Sequence, residues 1–321
     1  MRILDVETEH TGPFKILFEV LKDMLNDVNI EFRSDGKNKS KDTEDEKETK
    51  DSKDSKDQKD QDTNCMKINA IDSTKTVLVN IKLNFDKFVC KKSKLLLGVN
   101  LGCFYKLIKS MGKNSILTLS QDHDNKNYLQ IKIDSPEERK ETIHNLKLID
   151  LDEHKMAIPQ ITFDAVITMN SGEFNRLCRD MSNIADYMEI KCLTDKIIFT
   201  CVGEFANSNT TYRTRSDNDD DDNENIYVSI NHASTKSSGK GSDTTPKIVQ
   251  GIFELKHLVL FSKCASLSND IEIYMKNDFP LVIKYQVATL GRILLCLTPI
   301  KEDTTKNTNY SDEDEFYSED E

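Results

Sequence analysis

Five apolar residues of one helical pattern, Phe14, Leu17, Phe18, Leu21 and Leu25, return 160 positions later as Phe174, Leu177, Cys178, Met181 and Ala185. A second pattern behaves alike. Leu101, Phe104, Leu107 and Lys109 are matched 154 positions on by Leu255, Leu258, Phe261 and Lys263. Residues spaced three and four apart share one helical face, so these sets predict amphipathic helices over about 13–27, 101–111, from 171 onward (Ser171 as N-cap) and over 253–265. Strand-like runs fall between them: 30–33, 66–71, 76–83, 116–120 and 128–133, then 188–193, 196–201, 271–275, 281–287 and 293–297. Helix, strands, helix, strands thus occurs twice, and a fixed long period marks an internal duplication. The expected fold is α+β, with two similar domains.

Three stretches stand outside the period. Residues 37–65 hold eight Lys and ten Asp or Glu, with no apolar residue before Cys65. Residues 232–247 are rich in Ser, Gly and Thr, and 302–321 hold nine acids and one Lys. Segments of this kind bury too little to offset the entropy of ordering, which predicts two loops and a disordered acidic tail. A run at 217–224 adds six further acids. The whole chain is at −12, but 37–65, 217–224 and 302–321 together carry −16, leaving the remainder at +4.

That mildly basic remainder distributes its cations helix by helix. Lys15 and Lys22 share one helical face, as do Lys106, Lys109 and Lys113, Arg176 and Arg179, and Lys256 and Lys263. An ordinary solvated face also carries such residues, with Glu19 in reach of Lys15 and Asp23 beside Lys22. Four helices with the same pattern, on a chain that is acidic elsewhere, favour a surface for a polyanion, most simply nucleic acid.

Other classes find little support. The sequence has no HExxH, GxSxG or Walker A motif, and SSGKGS at 237–242 lacks the spacing of a phosphate loop. Neither a catalytic residue, a metal site nor a cofactor is expected. No cysteine pair has CxxC spacing, and Cys103, Cys178 and Cys264 fall in apolar helical patterns, so buried free thiols are expected. The opening MRILDVETEH lacks an apolar signal core, and no apolar run approaches a membrane span of roughly 18–20 residues. A soluble intracellular protein is expected.

Several motifs, in order, carry a specific resemblance: LKDML at 21–25, AIDSTKTVLVNIKL at 70–83, LLGVNLGCFYKLIKSMGKNSILTL at 96–119, LKLIDLDEHKMAIP at 146–159, SGEFNRLCRDMS at 171–182 and FPLVIKYQVATLGRILLCLTPI at 279–300. Together they resemble the proliferating cell nuclear antigen family, the DNA sliding clamps of eukaryotes and archaea. The resemblance covers about 1–36 and 66–301. It implies a homotrimeric ring with helices lining a hole for double-stranded DNA of any sequence. Its partners would be DNA polymerase, a clamp loader and peptides of the PIP-box type. An N-terminal domain over 1–147, a connecting loop over 148–160 and a C-terminal domain over 161–301 follow from it, with further inserts at 217–225 and 232–247.

The resemblance also assigns residues. DNA contact would involve the helical cations above together with Lys91 and Lys92, in the segment at 90–109. Partner peptides would dock on Ile71, Leu78, Leu151, Met156, Ile158, Pro159, Pro280, Leu297 and Thr298, although Ile71 and Leu78 also suit a plain core. Lys75 and Cys296 stand where the family often has His and Tyr. Subunits would meet through edge strands near 142–148 and 209–216, at Thr142, Asn145, Leu146, Thr211 and Arg213. The implied place of work is the nucleus, or a viral replication site if the chain is viral. A clamp-fold subunit of a checkpoint-type heterotrimer is the alternative, and self-association separates the two.

Overall fold

The computed structural model describes residues 1–34, 64–152, 161–214, 228–232 and 248–300. The first half runs β1 (Arg2–Thr8), α1 (Thr11–Met24), β2 (Asp27–Arg33), β3 (Cys65–Ile71), β4 (Val77–Asn84), β5 (Lys87–Cys90), β6 (Lys94–Asn100), α2 (Leu101–Ile108), β7 (Ile116–Asp122), β8 (Tyr128–Ser135) and β9 (Lys140–Lys147). The second half runs β10 (Ala165–Asn170), α3 (Ser171–Ser182), β11 (Tyr187–Cys192), β12 (Lys196–Val202), β13 (Asn207–Arg213), β14 (Val228–His232), β15 (Val249–Glu254), α4 (Leu255–Ser262), β16 (Asp270–Met275), β17 (Leu281–Val287) and β18 (Gly291–Leu297). Strands and helices follow one another in the same order in both halves, as the repeat predicts.

Both copies also pair their strands alike. The first half makes a sheet in the order β5-β1-β7-β8-β9. Its counterpart, β14-β10-β16-β17-β18, continues through β4-β3-β2-β6 into one nine-stranded sheet. The joint is β18 against β4, antiparallel from Gly291↔Leu83 to Leu297↔Val77. A four-stranded sheet, β13-β12-β11-β15, completes the described set.

The repeated helical residues form the core beneath these sheets. Phe14, Leu17, Phe18, Leu21, Phe174, Leu177, Cys178 and Met181 are all buried. In the first half the rings of Phe14, Phe18 and Phe104 meet at 4.6–6.3 Å. The second half has Cys178 where the first has Phe18, and its core includes Cys264 and the wholly buried Tyr285. The helices pack as a row in which α2 meets α1, α1 meets α4 and the short 3₁₀ turn at Lys263–Ser266, and α4 meets α3.

Several expectations need correction. Leu25 is extended, so α1 stops at Met24 rather than 27, and the chain turns directly into β2. Asn170, not Ser171, caps α3: its Oδ1 accepts from Gly172 N at 2.9 Å and Glu173 N at 3.1 Å. Ser171 is the first helical residue and donates its hydroxyl to the carbonyls of Ala265 and Ser268. Phe253 and Glu254 belong to β15, where Phe253 pairs with Met188, so α4 is shorter than its apolar pattern. Cys103 is exposed, because the buried face of α2 is set by Leu101, Phe104 and Ile108; Cys178 and Cys264 are buried as expected. The segments 37–63, 217–224, 233–247 and 302–321 lie outside the described residues.

Candidate nucleic-acid interface and docking groove

Because α1–α4 each bury one face against the sheets, the opposite faces form a continuous surface along the row. Lys106, Lys109 and Arg179 are exposed there and make no ion pair among the described residues. Lys113, likewise exposed and without an ion pair among them, lies in the turn beyond the end of α2 at Ile108 and not on the helix face that its spacing predicts. The remaining helical cations are engaged. Lys15 donates to the Met111 carbonyl at 2.9 Å rather than pairing with Glu19. Lys256 pairs with Glu254 at 2.7 Å, and Arg176 lies 4.0 Å from Asp180, one turn away. Lys22 and Lys263 share a single carboxylate, Asp23, at 2.7 and 3.0 Å. Burial alone would raise the Asp23 pKa, but the bonds from the two lysines outweigh it and hold the carboxyl below its ordinary range. Lys91 and Lys92 occupy the turn between β5 and β6 and are not on a helix.

A groove of about 980 Å³ opens on the outward side of the nine-stranded sheet. Its walls include Asp27 and Asn29 of β2, Ala70 and Ile71 of β3, Leu96 of β6, and Leu151. Side chains alternate across a pleated sheet, and directly opposed residues share a face. Ile71 opposes Leu78, Leu78 opposes Cys296, and Cys296 opposes Val282, so these four make one outward apolar row. Tyr274 extends the row beside Val282 and packs on Phe163 with ring centroids 5.3 Å apart. Pro280 precedes β17, and Thr298 donates both its amide and its hydroxyl to Thr76 O at 3.1 Å.

Leu297 is the exception among the expected docking residues. It opposes Val77 and Leu281 on the inward face and is fully buried, so it belongs to the core. Met156, Ile158 and Pro159 lie outside the described residues. Sequence reasoning missed Asn29, Leu96, Val282 and Tyr274. The signal that finds them is the odd-and-even alternation of β2, β6, β16 and β17 once the buried face is known.

The chain entering the connector is fastened at the groove's edge. Asn29 Nδ2 donates to the carbonyls of Leu151 and Asp152 at 3.4 and 3.2 Å. The β3–β4 turn is fixed by Asp72, whose Oδ1 accepts from Thr76 N at 2.8 Å and Val77 N at 2.7 Å. Lys75 sits in this turn in the left-handed region, at φ 59°.

Six strands end a sheet among the described residues. Two of these, β9 of the five-stranded sheet and β13 of the four-stranded one, have counterparts in the other half, β18 and β4, that are paired on both sides. Leu148 N donates to Asn127 O, so by antiparallel alternation the even residues of β9 face β8 and the odd residues face outward. On β13, the Gly203–Ala206 and Thr214–Asp195 bonds set the same parity. The backbone groups of Asn145, Thr211 and Arg213 therefore point to free edges. Those of Thr142 and Leu146 point to β8.

The chain matches two family models, "Proliferating cell nuclear antigen, N-terminal domain" over residues 53–156 and "Proliferating cell nuclear antigen, C-terminal domain" over 157–300. It is 27% identical over 305 residues to "Probable DNA polymerase sliding clamp 1" of Paramecium bursaria Chlorella virus 1, covering 93% of this chain and 97% of the relative. It is also 27% identical over 312 residues to "Probable DNA polymerase sliding clamp" of Acanthamoeba polyphaga mimivirus, covering 93% of this chain and 62% of that longer protein.

Proposed function

Since this chain belongs to the proliferating cell nuclear antigen family and is a DNA sliding clamp, we propose that three copies close into a ring through β9 and β13. The four-helix row then lines the hole around duplex DNA. The observation that carries this reading is the β18–β4 joint. In the duplicated plan β9 is the counterpart of β18, and β13 is the counterpart of β4. The pairing made once inside the chain is left unmade at its second occurrence, and a neighbouring copy supplies it.

Within the ring, Lys106, Lys109, Lys113 and Arg179 reach phosphates without reading bases, so the contact is weak, sequence-blind and compatible with sliding. The groove at Ile71, Leu78 and Leu151 takes short peptides of DNA polymerase and of other replication proteins, with a loader opening the ring. The clamp does no chemistry of its own and acts by tethering. It works where DNA is copied, in the nucleus or at a viral replication site. The connector at 148–160 divides the two domains.

Size-exclusion chromatography with light scattering tests the ring: a mass three times the 36.8 kDa chain is expected, and a persistent monomer would overturn it. Topological binding is tested separately. The loaded protein should stay on closed circular DNA and run off once the circle is cut.

A further inference from the structure

Among the described residues, Asp23 is the one carboxylate that takes two of the helical cations at once. Lys22, its neighbour on α1, bonds Oδ1 at 2.7 Å, and Lys263, from the other half of the chain, bonds Oδ2 at 3.0 Å. Lys22 is further held over the ring of Tyr105 on α2, with Nζ 5.2 Å from its centroid. A single electrostatic chain therefore runs across the seam between the halves, from α2 through α1 to the 3₁₀ turn. It is open to solvent, with side-chain exposures of 28% for Lys22, 32% for Asp23 and 42% for Lys263.

A phosphate approaching this seam must compete with a carboxylate already in place. At Lys106, Lys109 and Arg179 it meets no such competitor among the described residues. The row thus holds free cations at Lys106, Lys109 and Arg179, cations paired within their own half at Lys256 and Arg176, and at the seam two cations from different halves held by one carboxylate. Solvent-exposed ion pairs contribute little to stability, which gives Asp23 little purpose as a mere brace.

We infer that Asp23 is a positioning residue that holds Lys22 and Lys263 back from DNA phosphates and keeps the clamp's grip weak enough to slide. The inference rests on the reading of the helix row as the DNA-facing lining. Each phosphate contact contributes about −0.9 to the slope of log affinity against log salt, so two restrained lysines per chain withhold a measurable share of that slope.

The test uses the full-length protein and a fluorescent duplex of about 30 base pairs with mixed sequence, read by anisotropy from roughly 20 to 200 mM NaCl, a range over which phosphate contacts dominate the salt response. Asp23→Asn should bind at least about threefold tighter at the lowest salt and steepen the slope by about one or more. Asp23→Glu, which restores the carboxylate, should return towards the parent. Asp124→Asn changes bulk charge equally on the exposed β7–β8 turn and should leave the slope alone. Lys109→Gln, which removes a free cation, should flatten it. If Asp23→Asn matches the parent while Lys109→Gln flattens the slope, the lining stands and the role given to Asp23 is wrong. Should Lys109→Gln also change nothing, the lining itself is wrong and the inference falls with it. Equal steepening by Asp124→Asn would reduce the effect to bulk charge and likewise overturn it.

Discussion

The amide of Ile149 donates to the carbonyl of Gly98 at 2.9 Å, and a Cβ placed on residue 98 would stand 2.1 Å from the Ile149 carbonyl oxygen. Backbone meets backbone here, which is how the start of the connector lies down on β6. Gly98→Ala should force the two apart and cost about 1–3 kcal/mol, the usual range for overpacking. Thermal melting measures the loss, and protease cleavage after Leu148 should become faster. An unchanged melting temperature with unchanged cleavage would mean that the close approach is not needed.

Pairing across the free edge is tested at Asn145. Its amide faces away from β8, so Asn145→Pro removes a donor needed by a neighbouring subunit and leaves the β8–β9 bonds in place. The variant should fold and run as a monomer at low micromolar concentration. Retained trimers would place the subunit contact elsewhere.

For the docking groove, Ile71→Asp puts a charge on an outward apolar row that includes Leu78 and Cys296. Burying that charge under a bound peptide without a partner costs several kcal/mol, so peptide affinity should fall by at least about a hundredfold. Ring formation should be unaffected. Isothermal titration with a polymerase-derived peptide measures the loss, and parental affinity would exclude this groove.

Asp72 carries a pH prediction. Burial raises its pKa, but hydrogen bonds from Thr74, Thr76 and Val77 overcome this and hold the folded value below 3.8. A depressed carboxylate contributes stability that is present above its unfolded pKa and lost as pH falls through the folded one. Asp72→Asn should therefore be less stable than the parent at neutral pH, and the gap should close as pH drops below about 3.8. Denaturant titrations at pH 7 and pH 3 give the comparison. A gap independent of pH would show that the ionised form is not what the turn uses.

Reversing Lys109, exposed on the row and unpaired among the described residues, should shorten polymerase products, and more so at higher salt where the remaining attraction is screened. Lys53→Glu in the 37–65 insert makes the same charge change outside the helical sequences. Equal effects from the two would leave no role for a DNA-facing lining.

Much of this was legible in the chain because the helices repeat. Phe14 and Phe174, or Leu101 and Leu255, occupy equivalent core positions, and their period announces two copies of one domain. The strands were harder. β1, β5, β6, β10, β14 and β15 match none of the strand-like runs, and apolar spacing places Phe253 in a helix although its cross-strand partner is Met188. The docking residues show the same limit at finer scale. Cys296 and Leu297 are adjacent, and only the register with Leu78 and Val77 decides which faces the groove and which the core. Helical spacing is written locally, but sheet face depends on a distant strand.

The β18–β4 joint has a mechanical consequence for a ring of three. Of the six seams such a ring contains, three lie inside single chains, where dilution has no leverage. The other three are bimolecular and weaken as the protein becomes scarce. Any machine that prises the circle open to admit DNA has those three places to work at, each bounded by β9 on one side and β13 on the other.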